Sequence, residues 1–563
     1  MGKQKADRAA RGQFPRWRQL QREMQAALQA RLDALLEPPP SYIDDYRARY
    51  EREYPAWDGG SLSPSELDRR LGEADLVLVG DYHSLAQSQR TALRLLRRLS
   101  RRGVAPTLAL EMLPADRQPL LDDFLAGRLN RAAFTARIEQ ERVWDFPWKP
   151  VQILLDFARY HQLPVVALNH RPRRAERALV ERDRRAARLL AEARKREPGR
   201  PLFILFGDYH LAASHLPAEV ARAFAKAKLP APRLRRVFQN REALFWQSLA
   251  DDGRAPEILD LAGGDVCIQS ATPLVKLQSY LHWLSFHAGE REDWALPDPD
   301  EYSEDLSREV DVALHRIAQF LRVPLLEQSP PRVFWVGETD FARRIARAAG
   351  WRDEELALVL NSLRVGEDCY LRERDLAVIG DPGENHLSEL AARVLHSRCS
   401  RLSLRPRTLV DDFYLRVIRH ALMFLGSKVM NPLRKSQDRP ALLRYLREDG
   451  PAGDWRGRAE LLLAYLEAEE QFQSTGDIDG FAGRFFNLEP RLHLALTRAV
   501  GRSLGGRLYE ALIADRLDPI WLRTLWFEPF HLEGSPLKRY LEMLEQLGRP
   551  GGAARAAGEL ERL

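Results

Sequence analysis

Four short apolar runs punctuate the first half of the chain: Leu76-Val77-Leu78-Val79, Thr107-Leu108-Ala109-Leu110, Val165-Val166-Ala167-Leu168 and Leu202-Phe203-Ile204-Leu205-Phe206. Each is apolar at successive positions, so both faces of the pleat would be buried, which is the pattern of a strand inside a parallel sheet. Longer stretches with helical spacing separate them, at 85–101, in an insert over 115–139, at 150–161, in an arginine-rich segment at 174–195 and at 214–227. Val237-Phe238-Gln239 predicts one more strand, and Ile258–Leu261 with Val266–Ile268 predict an edge hairpin turning at Gly263-Gly264. The alternation predicts an α/β fold, a mostly parallel sheet flanked by helices.

The pattern changes on either side. Residues 1–36 are basic and helix-favouring, with Met24, Leu28, Leu32 and Leu35 on one face expected to pack on the rest of the protein. Pro38-Pro39-Pro40 ends that helix, because proline lacks the amide proton and clashes with the preceding turn. A linker rich in Pro, Asp and Glu runs from Leu296 to Asp305; beyond it helical periodicity dominates, with a small mixed piece near 333–380. The expected organisation is an N-terminal helical extension (1–65), an α/β domain (66–295) and a mainly helical second domain (306–563).

Composition narrows the classes. A chain of 563 residues, 45% hydrophobic and 29% charged, is that of a globular protein with ample material for a core. The net charge of +6 is the small remainder of 86 basic against 80 acidic residues, so no specific nucleic-acid binding follows. Three scattered cysteines, Cys267, Cys369 and Cys399, exclude a disulfide scaffold, a cysteine zinc ribbon and covalent c-type haem attachment. No run approaches the length of a membrane span, and no secretion signal or lipobox is visible, so the expected location is cytoplasmic.

Chemistry concentrates at the predicted strand ends. The word Gly-Asp-Tyr-His occurs twice, as Gly80-Asp81-Tyr82-His83 and Gly207-Asp208-Tyr209-His210, each time directly after an apolar run, while Glu111 ends a third. Ligands of open α/β sheets gather beyond the carboxyl ends of the strands. Histidines and carboxylates there supply general acids, bases and metal ligands. His83, Glu111 and His210 are the candidate catalytic set, with His83 as a base oriented by Glu111. Together with Asp81 and Asp208 they are also a candidate set for a divalent metal such as zinc, manganese or iron. The loop Trp144-Asp145-Phe146-Pro147-Trp148 offers Trp144 and Trp148 as walls for a flat apolar ligand, or else closes one end of the domain by packing. Asn169 and His170 end a further strand, where turn chemistry competes with a ligand role.

The order hydrophobic strand–GxxH, strand–Glu-Met, Trp-containing loop, strand–Asn, Arg/Asp helix, strand–GxxH resembles the ChaN-like haem-binding proteins. These are grouped with Tiki-type metalloproteases, TraB proteins and erythromycin esterases. The matching stretches are Val77–Leu85, Leu108–Pro114, Asp145–Asn169, Arg182–Leu190 and Phe203–Ala212, within about residues 66–290. The resemblance implies haem as cofactor and a role in iron handling, or, as in the enzymatic branches, metal-dependent hydrolysis by the residues matching His83, Glu111 and His210. Tyr82 and Tyr209 are then the candidate haem contacts, and Arg171 and Arg173 could pair with propionates. The chain departs from the ChaN-like pattern in lacking a visible lipoprotein signal and in carrying an acidic Asp81 and Asp208 in the two words. Whether the protein is an enzyme stays open at this point, and an interaction protein with a silent α/β domain is a third reading.

In the helical half, Asn385-His386, Glu389 and His396 share a helical face, which is expected to be solvated or interfacial. The stretch from His420 to Leu425 reads as a core helix or a partner surface. A protein partner or a second copy of the chain would dock through this half.

Overall fold

The computed structural model describes residues 12–36, 38–140, 144–146, 148–170, 178–250, 255–288, 306–325, 329–335, 350–364, 367–381, 383–401, 408–436, 439, 442–443, 446, 454–475 and 478–548. The chain divides into two compact units. One comprises residues 25–250 and 254–293; the other comprises 1–24, 251–253 and 294–563.

The first unit is built on an eight-stranded sheet. Its strands are β1 (Trp57–Ser61), β2 (Leu76–Asp81), β3 (Thr107–Pro114), β4 (Val165–Asn169), β5 (Leu202–Gly207), β6 (Leu234–Gln239), β7 (Ile258–Leu261) and β8 (Val266–Ile268), in the order β1-β7-β8-β6-β2-β5-β3-β4. All pairings from β8 to β4 are parallel, whereas β1–β7 and β7–β8 are antiparallel. Alternation along the pleat sends Val77, Val79, Leu108, Leu110, Phe203 and Leu205 to one face and Leu76, Leu78, Ala109, Ile204 and Phe206 to the other. The first face packs on the helices Ala86–Arg101 and Lys149–Tyr160, the second on Ala178–Arg196 and Leu216–Lys226. Each fully buried Val, Leu, Ile or Phe contributes roughly 1.5–3 kcal/mol before the entropy of ordering the chain is charged. The fold class expected from the apolar runs is therefore the one observed.

Two expectations need correction. The hairpin β7–β8 turns at Gly263-Gly264 as predicted but is not an edge, because β1 pairs outside β7. The β1 sequence Trp-Asp-Gly-Gly-Ser carries no apolar run, so periodicity could not find it; a short, polar outer strand also discourages edge-to-edge pairing. In the first helix, Gln13–Leu35, Met24 and Leu32 are buried but Leu35 is exposed, since the packed face ends a turn before the helix does.

In the other unit the helix Leu409–Met430 is buried along most of its length against Glu384–Ser400 and Pro490–Ile513. A Cβ at Gly501 would lie 2.6 Å from the Val417 carbonyl oxygen, so glycine there permits two helices to touch backbone to backbone. The mixed piece is a three-stranded sheet in which β11 (Leu376–Ile379) lies parallel to β9 (Arg332–Trp335) and antiparallel to β10 (Cys369–Leu371). The helix Glu384–Ser400 is buried, not solvated: Glu389 and His396 are both enclosed, because neighbouring arginines neutralise the glutamate. Among the described residues, no helix is long and apolar enough to cross a membrane.

Candidate functional site

The sheet order explains why three motifs far apart in sequence meet. Strand β5 lies between β2 and β3, and the register places Asp81 opposite Gly207. The two Gly-Asp-Tyr-His words therefore leave the sheet side by side, with Glu111 from the next strand beside them.

His83, Glu111 and His210 converge. The His83 Nε2 atom is 3.8 Å from Glu111 Oε2, and His210 Nε2 is 3.9 Å from Glu111 Oε1. A Cβ built on Gly207 would sit 3.2 Å from Glu111 Oε2, 3.3 Å from His210 Cδ2 and 3.3 Å from His83 Nε2. The glycine thus keeps open the one point that all three side chains address. Gly80 does a related service, since a Cβ there would collide with Asp208.

Each histidine is backed by a carboxylate. Nδ1 of His83 is 2.7 Å from Asp81 Oδ2, and Asp81 is further held by Gln89 at 2.6 Å. Nδ1 of His210 is 2.6 Å from Asp183 Oδ1 and 2.8 Å from the Tyr46 hydroxyl, which itself donates to Asp183 Oδ2 at 2.6 Å. A carboxylate can only accept, so both Nδ1 atoms carry protons and both Nε2 atoms are turned toward Glu111. Glu111 in turn accepts from Arg182 Nη1 at 3.1 Å and from the Gly207 amide at 2.5 Å.

Burial alone would raise the Glu111 carboxyl, but His83, His210, Arg182 and the Gly207 amide together hold it below the usual carboxylate range. For His83 burial pulls downward, yet the hydrogen bond to Asp81 and the charge of Glu111 prevail, and its pKa is raised. The centre is a hydrogen-bonded set whose charge follows the proton on His83.

Asp208 does not join this centre. It receives the Tyr50 hydroxyl, its other oxygen has no hydrogen-bond partner, and burial raises its pKa against the pull of Lys276. Among the described residues no group of three or more His, Cys, Asp or Glu side chains has the arrangement to hold a metal ion. Both Glu111 oxygens are already claimed by Arg182 and the Gly207 amide, and Asp81 by His83 and Gln89.

An aromatic belt borders the centre. Trp144 meets His83 edge-on at 4.8 Å, and Phe146 lies 5.1 Å from the same ring. Phe146 stacks on Trp283 at 4.5 Å, Trp283 on Tyr280 at 5.4 Å, and Tyr280 meets Tyr82 at 6.2 Å. Tyr209 is 42% exposed and meets Tyr50 edge-on at 5.4 Å. Trp148 is not part of the belt: its ring belongs to the core beside Phe134, and its indole N–H is taken by Gln152 at 3.0 Å. Asn169 serves its own turn, accepting from the His170 amide at 2.8 Å. Arg171 and Arg173 lie outside the described residues.

Sequence reasoning missed the supporting residues. Tyr46 and Tyr50 come from the helix Ser41–Arg52, where i,i+4 spacing was the only signal. Arg182 and Asp183 lie in the Arg/Asp helix that the motif order already contained, but their contacts with Glu111 and His210 are visible only in three dimensions. Tyr280 and Trp283, on the helix Pro273–Ala288, are one turn apart, a spacing that puts them on one face.

These features define an α/β protein with its polar centre at the carboxyl ends of adjacent parallel strands. Residues 67–182 match the family described as haem-binding uptake, Tiki superfamily, ChaN, so the resemblance read from the motifs is shown for that stretch. The match takes in Asp81, His83, Glu111 and Arg182; His210 follows it. Two solved structures are similar to part of the chain. One, described as cofacial haem binding to ChaN of Campylobacter jejuni, is 15% identical and covers 32% of this chain and 87% of that one, with a TM-score of 0.24. The other, the type III effector HopBA1, is 13% identical and covers 36% and 90%, with a TM-score of 0.25. No curated protein matches the chain.

Proposed function

We propose that the α/β unit binds a flat, largely apolar ligand of the haem type, laid on the aromatic belt at the edge of the His83–Glu111–His210 centre. The belt is the observation that carries the reading. Five ring systems in sequence from Trp144 to Tyr82 offer the stacking surface a porphyrin requires, next to a polar centre that fixes orientation. The family match supports the same ligand class. The exposed Tyr209 and the Tyr82 ring beside Tyr280 would be the residues offered to the iron, tyrosine being one of the side chains that ligate haem. Bound haem would supply the iron and its redox or transport chemistry; the chain's own part is to stack, orient and hold protons at the two imidazoles. A cytoplasmic setting belongs to the proposal and is supported by three cysteines that are all free.

A second reading, hydrolysis by His83, Glu111 and His210, is favoured by one specific observation. Both histidines are backed by carboxylates and both aim Nε2 at one point, as general acid–base groups must.

One purified sample tests both readings. Hemin titrated into the full chain should give a saturable Soret band that shifts in Tyr82→Phe or Tyr209→Phe. No Soret band, together with ester or peptide turnover lost in His83→Ala at unchanged folding, would reject the first reading for the second.

A further inference from the structure

One side of the helix Pro273–Ala288 carries a charge as well as rings. Lys276 stands four residues before Tyr280 and seven before Trp283, spacings that put all three on the same face. The Lys276 ammonium lies 4.5 Å from the centroid of the Tyr82 ring, and Tyr82 in turn meets Tyr280 at 6.2 Å. The belt that starts at Trp144 therefore finishes on a cation.

The lysine is held in that place. Its Nζ donates to the Asn240 carbonyl at 3.3 Å, while the helix is tied to the first Gly-Asp-Tyr-His word, Ser279 Oγ lying 3.3 Å from Ser84 Oγ. Trp283 is fixed as well, its indole N–H donating to the Asp145 carbonyl at 2.9 Å. A lysine stem ordinarily leaves its charged head in water, and ordering so many rotatable bonds costs conformational entropy. Lys276, Tyr82, Tyr280 and Trp283 are each partly exposed, so a ligand laid on the rings can reach the ammonium. Burial draws the Lys276 pKa down against the charge of Asp208, and burial weakens that support by raising the Asp208 pKa. An ammonium partly withdrawn from water gains from an anion brought to it.

We propose that Lys276 pairs with a carboxylate at the rim of the belt's ligand, which makes that ligand a planar aromatic acid and not a neutral ring system. The inference rests on the planar ligand proposed for the α/β unit and adds the ligand's charge and the residue that reads it. A contact between ammonium and carboxylate is a charge-assisted hydrogen bond, stronger than one between neutral groups. A planar ligand without the acid would gain from the rings alone.

The test titrates the full chain with hemin and with hemin dimethyl ester, which share iron and rings and differ only in the acid groups. The diacid should bind about tenfold more tightly than the diester. Lys276→Met should weaken the diacid about tenfold and leave the diester within about twofold, so that the ratio approaches one. Lys276→Arg keeps the charge and should keep the preference. Saturable binding of both porphyrins with equal affinity overturns the inference and leaves the planar-ligand reading standing. So does a preference for the diacid that survives Lys276→Met. A loss of both ligands alike in that variant also overturns it, marking a lysine that only supports the fold. Saturable binding of neither porphyrin overturns the planar-ligand reading and this inference together.

Discussion

The two units bury ionisable groups in opposite ways. In the α/β unit three carboxylates, Asp81, Glu111 and Asp183, meet two histidines and one arginine, and the raised pKa of His83 lets the charge of the set follow pH. In the helical unit the buried Glu389 is held between Arg434 and Arg502, whose guanidiniums keep their protons at ordinary pH. A centre that balances by protons responds to pH; one built on guanidinium keeps its charge. The contrast separates a centre whose charge moves with pH from one whose charge is fixed.

The largest expected effect tests that contrast from the side of stability. Glu389→Gln leaves Arg434 and Arg502 enclosed without their counter-charge and should cost about 3–5 kcal/mol in denaturant unfolding, with little change across about pH 6–9. Glu111→Gln should cost less, about 1–3 kcal/mol, because the amide oxygen can still accept from Gly207 and Arg182 is partly exposed. Equal, pH-independent losses in the two variants would erase the distinction.

Gly207→Ala places a methyl group at the point addressed by His83, Glu111 and His210. Overpacking there should cost roughly 1–3 kcal/mol and weaken any ligand that uses the centre, which a binding titration beside a melting curve would separate. Tyr46→Phe removes one hydroxyl from Asp183 and His210 and should cost about 0.5–1.5 kcal/mol, read as a lower denaturant midpoint at unchanged slope.

The smallest effect is the pH profile. The folded pKa of His83 is raised, so its contribution to stability is fully present below the unfolded value near about 6.5 and fades as pH rises through the folded value. The folded pKa of Glu111 is lowered, so its contribution is present above the unfolded value near about 4.3 and is lost as pH falls through the folded one. Stability attributable to the centre should therefore peak between those limits, and His83→Ala should remove the alkaline fall. An unchanged alkaline limb would show that His83 is not the group responsible.

Much of the α/β unit was legible because buried parallel strands are written as continuous apolar runs. Leu76–Val79 and Leu202–Phe206 announced themselves, and the rule that ligands gather at strand ends pointed to His83, Glu111 and His210. What periodicity cannot carry is the partner set. β1 hid because Gly59 and Gly60 break any pattern, and Tyr46, Arg182 and Asp183 act on residues dozens to more than a hundred positions away. Trp148 misled for the converse reason: a tryptophan beside an aromatic loop reads as a ligand wall, but a neighbouring Gln152 satisfies its N–H and lets the ring enter the core. The helix Glu384–Ser400 looked solvated from its polar residues because the arginines that neutralise Glu389 come from distant segments.

The most direct test of the central claim is a hemin titration of the full chain followed at the Soret band, with Trp283→Ala and Trp148→Phe in parallel. Trp283 is in the belt and Trp148 is in the core. A saturable band whose affinity falls at least tenfold in Trp283→Ala and stays unchanged in Trp148→Phe is the predicted result. A band absent from the unsubstituted chain, or one indifferent to Trp283, would contradict the account.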